Sequence, residues 1–108
     1  MNQIAIDGCT IAQVHQRITR TIDPIRGSKL FISLCADKEI IVSVRDSDFS
    51  LSIRIDDELI PNRPYWWWQI DGGDHPVDFG KADMQWQMKR TVEKLINRLW
   101  MEAFTNGS

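Results

Sequence analysis

Hydrophobic and polar residues alternate in three consecutive stretches near the middle of the chain. Leu30, Ile32 and Leu34 share one parity within 29–36. Ile40, Val42 and Val44 do so within 39–45, and Phe49, Leu51, Ile53 and Ile55 within 49–55. Side chains point alternately to the two faces of a strand, so each stretch predicts a strand with one apolar face. The links Asp37-Lys38 and Asp46-Ser47-Asp48 are short and polar, which predicts hairpins and hence an antiparallel meander. Its other face reads Ser33, Cys35, Ser43, Arg45, Ser50, Ser52 and Arg54, and is expected to be mostly wet.

The period changes on either side of the meander. Residues 2–7 alternate, with Ile4 and Ile6 on one face, and predict a short strand ending at Gly8. Thr10 then has the character of an N-cap, and Gln13 completes a capping-box pattern. Ile11, Val14, Ile18 and Ile22 follow at helical spacing, and Asp23-Pro24 predicts the stop, because proline pushes the residue before it out of the helical region. A final helix is predicted over roughly 81–104. Its main stripe is Met84, Met88, Val92, Leu95 and Leu99, with Ile96 and Ala103 on the flank.

The predicted order is β-α-β-β-β-(β)-α. It implies an α+β fold of two layers, an antiparallel sheet of four or five strands covered on one face by two helices. Residues 1–108 read as one domain, with an aromatic loop or edge strand at 61–80 inserted before the last helix. The stretch Asp71-Gly72-Gly73-Asp74-His75-Pro76 reads as a loop, and Asp78-Phe79-Gly80 as the approach to the helix.

That inserted segment contains four consecutive aromatics, Tyr65-Trp66-Trp67-Trp68. As a strand it puts Trp66, Trp68 and Ile70 on one side, and Tyr65 and Trp67 on the other. One core cannot cover both sides, so the second needs a partner, a ligand or the domain's own loop. The last helix repeats the excess: Trp86, Trp100 and Phe104 fall off its main stripe, beside Arg90, Lys94 and Arg98. Tryptophan and arginine dominate interface centres, so the expected partner-binding set is Arg63, Tyr65, Trp66, Trp67, Trp68, Trp86, Arg90, Arg98, Trp100 and Phe104.

Composition narrows the alternatives. The chain is 43% hydrophobic and 26% charged, with a formal net charge of −2, which argues against a domain held by phosphate contacts alone. No apolar run approaches the ~18 residues of a membrane span. Met1-Asn2-Gln3 lacks the basic start of a signal peptide, and Cys9 and Cys35 are too few for a disulfide scaffold. A cytoplasmic location is expected, with both cysteines as small buried hydrophobes.

No catalytic signature emerges. Asp71, Asp74, His75 and Asp78 alternate through a glycine turn, but the calcium-loop pattern is absent and no metal site is expected. Cys9 and His15 have no third orienting group, and Gly72-Gly73 carries no Lys-Ser/Thr after it, so neither nucleophilic nor phosphate-cradle chemistry is supported. The expectation is a small non-enzymatic protein-binding module without a cofactor, of the inhibitor or adaptor type that phages and mobile elements encode. A homodimer through the same aromatics competes with it. The alternative is a nucleic-acid-binding accessory protein using the Ser/Arg sheet face and the tryptophan run. A likeness to double-stranded-RNA-binding order is topological only, because the turn before the last helix lacks a basic cluster.

Overall fold

Thr10 and Gln13 form the reciprocal bonds of a capping box. The Thr10 N–H donates to Gln13 Oε1 at 2.8 Å, and the Gln13 N–H donates to Thr10 Oγ1 at 3.2 Å. Both bonds occupy amides at the helix start, where the helix itself offers no acceptor. The structure is a computed structural model that describes residues 5–6, 8–26, 29–35, 39–56, 65–82, 84 and 87–106. In it, helix α1 (Ile11–Arg26) begins immediately after this cap, and Ile11, Val14, Ile18 and Ile22 are buried along it. We expect Thr10→Ala to lower the unfolding free energy by about 1 kcal/mol, read as a lower urea midpoint at unchanged slope.

α1 runs past the predicted stop at Asp23-Pro24 and includes Pro24 in its last turn. Pro24 is exposed, and a proline there removes only its own N–H bond, a cost the final turn tolerates. Ahead of α1, strands β1 (Ala5–Ile6) and β2 (Cys9–Thr10) make a two-stranded hairpin of their own. The strand expected over 2–7 therefore stands apart from the main sheet. The chain reverses at Gly8 and pairs with the residues that lead into α1; positions 2–4 and 7 lie outside the described residues.

The main sheet contains β3 (Leu30–Cys35), β4 (Glu39–Val44), β5 (Phe49–Asp56), β6 (Tyr65–Gly72) and β7 (Pro76–Lys81), in that spatial order and antiparallel throughout. The register carries the apolar parity across the strands. Ile40 faces Ile53 and Val42 faces Leu51; on the next pair, Ile53 faces Trp68 and Ile55 faces Trp66. Helix α2 (Met88–Asn106) packs beside α1 and onto β5, while α1 covers β3 and β4. The result is the expected two-layer α+β domain, with both helices on one face of the sheet.

The core lies between the layers. Val14, Ile18, Ile40, Val42, Leu51, Ile53, Trp66, Ile70, Val92, Ile96 and Leu99 are all fully or almost fully buried there. Cys9 joins it as a buried thiol whose Sγ donates to the Met84 carbonyl at 3.1 Å. The side chain of Cys35 lies outside the described residues. No helix among the described residues is long and apolar enough to cross a membrane.

Two boundaries differ from the sequence reading. The stretch read as a loop from 71 to 76 is a hairpin: β6 continues to Gly72, the chain turns at 73–75, and β7 starts at Pro76. The Gly72 N–H donates to the His75 carbonyl at 2.9 Å, and Gly73 takes φ +96°, a conformation that glycine reaches without strain. The helix expected from about 81 begins at Met88, since Lys81 still belongs to β7. Met84 is fully buried but precedes α2, so it reaches the core from the connection rather than from the helical stripe.

Candidate functional site

The alternation of β6 divides the aromatic run between the two faces of the sheet as its parity requires. Trp66, Trp68 and Ile70 share the helix side with Ile55, Ile53 and Leu51; Tyr65 and Trp67 lie on the open side with Arg54. Trp66 is fully buried beneath the helices. It is thereby removed from the expected contact set: it fills the core and offers no surface to a partner.

On the open side the rings gather. Trp67 meets Tyr65 edge-on, with centroids 6.2 Å apart and planes at 69°, and meets Phe79 of β7 at 5.3 Å and 33°. Such offset and tilted pairs are the favourable arrangements of aromatic quadrupoles. Lys81 lies opposite Trp67 in the register and holds its Nζ 4.9 Å from the Tyr65 ring centroid. Phe79 is 56% exposed, whereas Tyr65 and Trp67 are half-buried, largely by each other and by Phe79. The Trp67 indole N–H is shielded from solvent and has no hydrogen-bond partner among the described residues. Burying an unsatisfied donor typically costs about 1–3 kcal/mol.

Polar groups surround this cluster on the same face. Ser52 Oγ donates to Glu39 Oε2 at 2.5 Å, and Arg54 Nη1 lies 4.0 Å from the same oxygen. Farther across, toward the β3 edge, Phe31 is 47% exposed, with the Arg45 guanidinium 4.9 Å from its ring centroid. The open face is therefore an aromatic patch at the β6–β7 end, grading into Ser, Glu and Arg toward β3.

The remaining expected residues lie elsewhere. Trp68 is half-buried on the helix side, its ring lying over Gly80. A Cβ at Gly80 would stand 3.3 Å from Trp68 Nε1, so glycine is what lets the indole settle on β7. Arg90 and Arg98 are exposed on α2. Arg98 bridges Asp78 of β7 at 3.1 Å and Glu102 at 3.2 Å, joining helix to edge strand. Both of these pairs are partly solvated, and Asp78→Asn is expected to cost under about 1 kcal/mol in a denaturation midpoint.

Trp100 and Phe104 stack on each other at 4.2 Å near the end of α2, with Lys29 Nζ 5.5 Å from the Phe104 centroid. This pair is separate from the open-face cluster, which lies on the other side of the sheet. Arg63 and Trp86 lie outside the described residues. The expected single surface thus resolves into an open-face cluster, a core tryptophan and a helix-side group.

Sequence reasoning missed Phe79, Lys81 and Phe31. Phe31 and Phe79 sit at alternating positions of strands, which was a usable signal. Phe79 was concealed by its neighbours Asp78 and Gly80, both poor strand formers.

The acidic-histidine stretch has its own internal pairing. His75 Nδ1 lies 2.7 Å from Asp74 Oδ1, and Gln69 Nε2 donates to Asp71 Oδ1 at 2.8 Å. The Asp74 carboxyl is held below its usual value, mainly by the hydrogen bond from His75. Among the described residues, no three His, Cys, Asp or Glu side chains converge as a metal site would require. No known protein family, curated protein or solved structure matches this chain, so the functional reading rests on its own residues.

Proposed function

We propose that the protein is a non-enzymatic binding module that engages a protein partner, as an inhibitor or adaptor, through the open face of its sheet. One observation carries this reading: Tyr65, Trp67 and Phe79 form a contiguous ring cluster on the face opposite both helices, and no described element covers it. Contiguous exposed apolar patches with a charged rim mark interaction sites, and Trp and Tyr are frequent anchors there. Arg54 and Lys81 provide the rim. The cytoplasm is the compartment we assign, because two cysteines are too few for the disulfide scaffold typical of small secreted domains.

One observation favours nucleic acid instead: Lys81 and Arg54 flank rings to which unpaired bases could stack. Against it, Arg54 is engaged by Glu39, and the chain as a whole is acidic.

The test combines solution mass with two binding arms, using wild type and Phe79→Ser. Phe79 is the most exposed ring of the cluster, so this change leaves folding intact. A stoichiometric heterologous partner retained by wild type and lost by Phe79→Ser supports the proposal. Retention by both forms counts against it. A dimeric mass that Phe79→Ser converts to monomer assigns the face to a second copy. Tight binding of a labelled single-stranded oligonucleotide at low salt, fading steeply as salt rises, transfers it to nucleic acid.

A further inference from the structure

On the helix side, α2 packs over β5 and leaves the β6–β7 end of the sheet beside it. A cleft of about 780 Å³ occupies that gap. This is within the range of small-molecule sites, and of the open-face residues named above only Lys81 also lines it. Its apolar part comes from Trp68, Leu95 and Met101. The Trp68 indole N–H has no hydrogen-bond partner among the described residues, and the indole itself lines the cleft.

The wall of the cleft is cationic. Arg90, Lys94 and Arg98 follow one another at four-residue spacing along α2. Like charges at that spacing repel and weaken a helix. Arg98 is neutralised by Asp78 and Glu102, but Arg90 and Lys94 have no carboxylate partner among the described residues. Glu93 is the one carboxylate among the described lining residues. An anion in the cleft would relieve the repulsion, and an aromatic ring attached to it would cover the indole.

We propose that this cleft binds an organic anion with a flat apolar body, of the aromatic carboxylate class. The carboxylate sits between Arg90 and Lys94, where charge-assisted hydrogen bonds form, and the ring lies against Trp68, Leu95 and Met101. The two sites share Lys81 at the sheet edge, but the rings of the open-face cluster, Tyr65, Trp67 and Phe79, do not line the cleft.

The experiment uses naphthalene-2-carboxylate and its neutral carboxamide as probes, followed by calorimetry and by the indole N–H resonance of Trp68, assigned with Trp68→Phe. The proposal expects saturable binding of the carboxylate that shifts the Trp68 resonance. It also expects about tenfold weaker binding of the carboxamide, and of the carboxylate to Arg90→Gln/Lys94→Gln. Both substituted residues are exposed on α2, so the double variant keeps the fold. Phe79→Ser should bind the probe as wild type does. No saturable binding at millimolar carboxylate, equal affinity for the two probes, undiminished binding by the double variant, or an unmoved Trp68 resonance would each overturn it.

Discussion

Trp66→Ala should cost about 3–5 kcal/mol of stability, a large part of what a domain of this size possesses. Trp66 has no exposed surface and is the largest of the fully buried side chains. It lies opposite Ile55 on β5, and its own carbonyl accepts the Ala82 N–H at 2.9 Å, where the chain leaves β7. Truncation would empty a cavity between the sheet and the helices that the surrounding Ile, Val and Leu residues can only partly fill. The expected readout is a sharp fall in the urea midpoint, or a chain already unfolded without denaturant. A loss under about 1 kcal/mol would show that Trp66 is not a core residue.

Trp67→Ala should behave in the opposite way, although the two residues adjoin. Trp67 is half-buried on the open face, so its removal should change stability by about 1 kcal/mol while lowering partner affinity by about 2 kcal/mol or more, roughly thirtyfold. Trp67→Phe separates the ring from its N–H. That donor is shielded and has no partner among the described residues, so deleting it relieves a desolvation cost that offsets the smaller ring, and stability should stay near that of wild type. If Trp67→Phe retains affinity, the ring surface is what the partner reads. If it loses as much as Trp67→Ala, the partner contributes an acceptor to the N–H. Full affinity in Trp67→Ala would remove the open face from consideration.

What could be read from the chain alone follows the range of the interactions involved. Thr10 and Gln13 are three residues apart, and their capping box formed as written. The meander was equally accessible, because Asp46-Ser47-Asp48 is a short polar link between runs of clear parity. Strand β7 was not. Pro76, Asp78 and Gly80 all disfavour strands, and they are tolerated because β7 is an edge, where the missing Pro76 N–H leaves no ladder position empty.

The aromatic run shows the same limit more sharply. Its parity correctly separated Trp66 and Trp68 from Tyr65 and Trp67. Which side the helices cover depends on pairing β6 with Ile53 and Ile55, a contact between strands that local parity does not reveal, so the sequence alone groups Trp66 with the contacts. Within the helix side, the different fates of Trp66 and Trp68 depend on Gly80 and on where α2 crosses the sheet. Both are tertiary facts with no local signature.

Because each strand from β4 to β7 hydrogen-bonds to its immediate predecessor in the chain, every pairing of the main sheet can grow between successive strands without waiting for distant segments to meet. Such local wiring keeps the entropy of loop closure small, and mixed domains of this kind typically fold faster than those with crossed-over strands. The kinetic bottleneck should then be the docking of the two helices, so that Ile18→Val and Leu99→Ala slow refolding more than changes in the β4–β5 turn do.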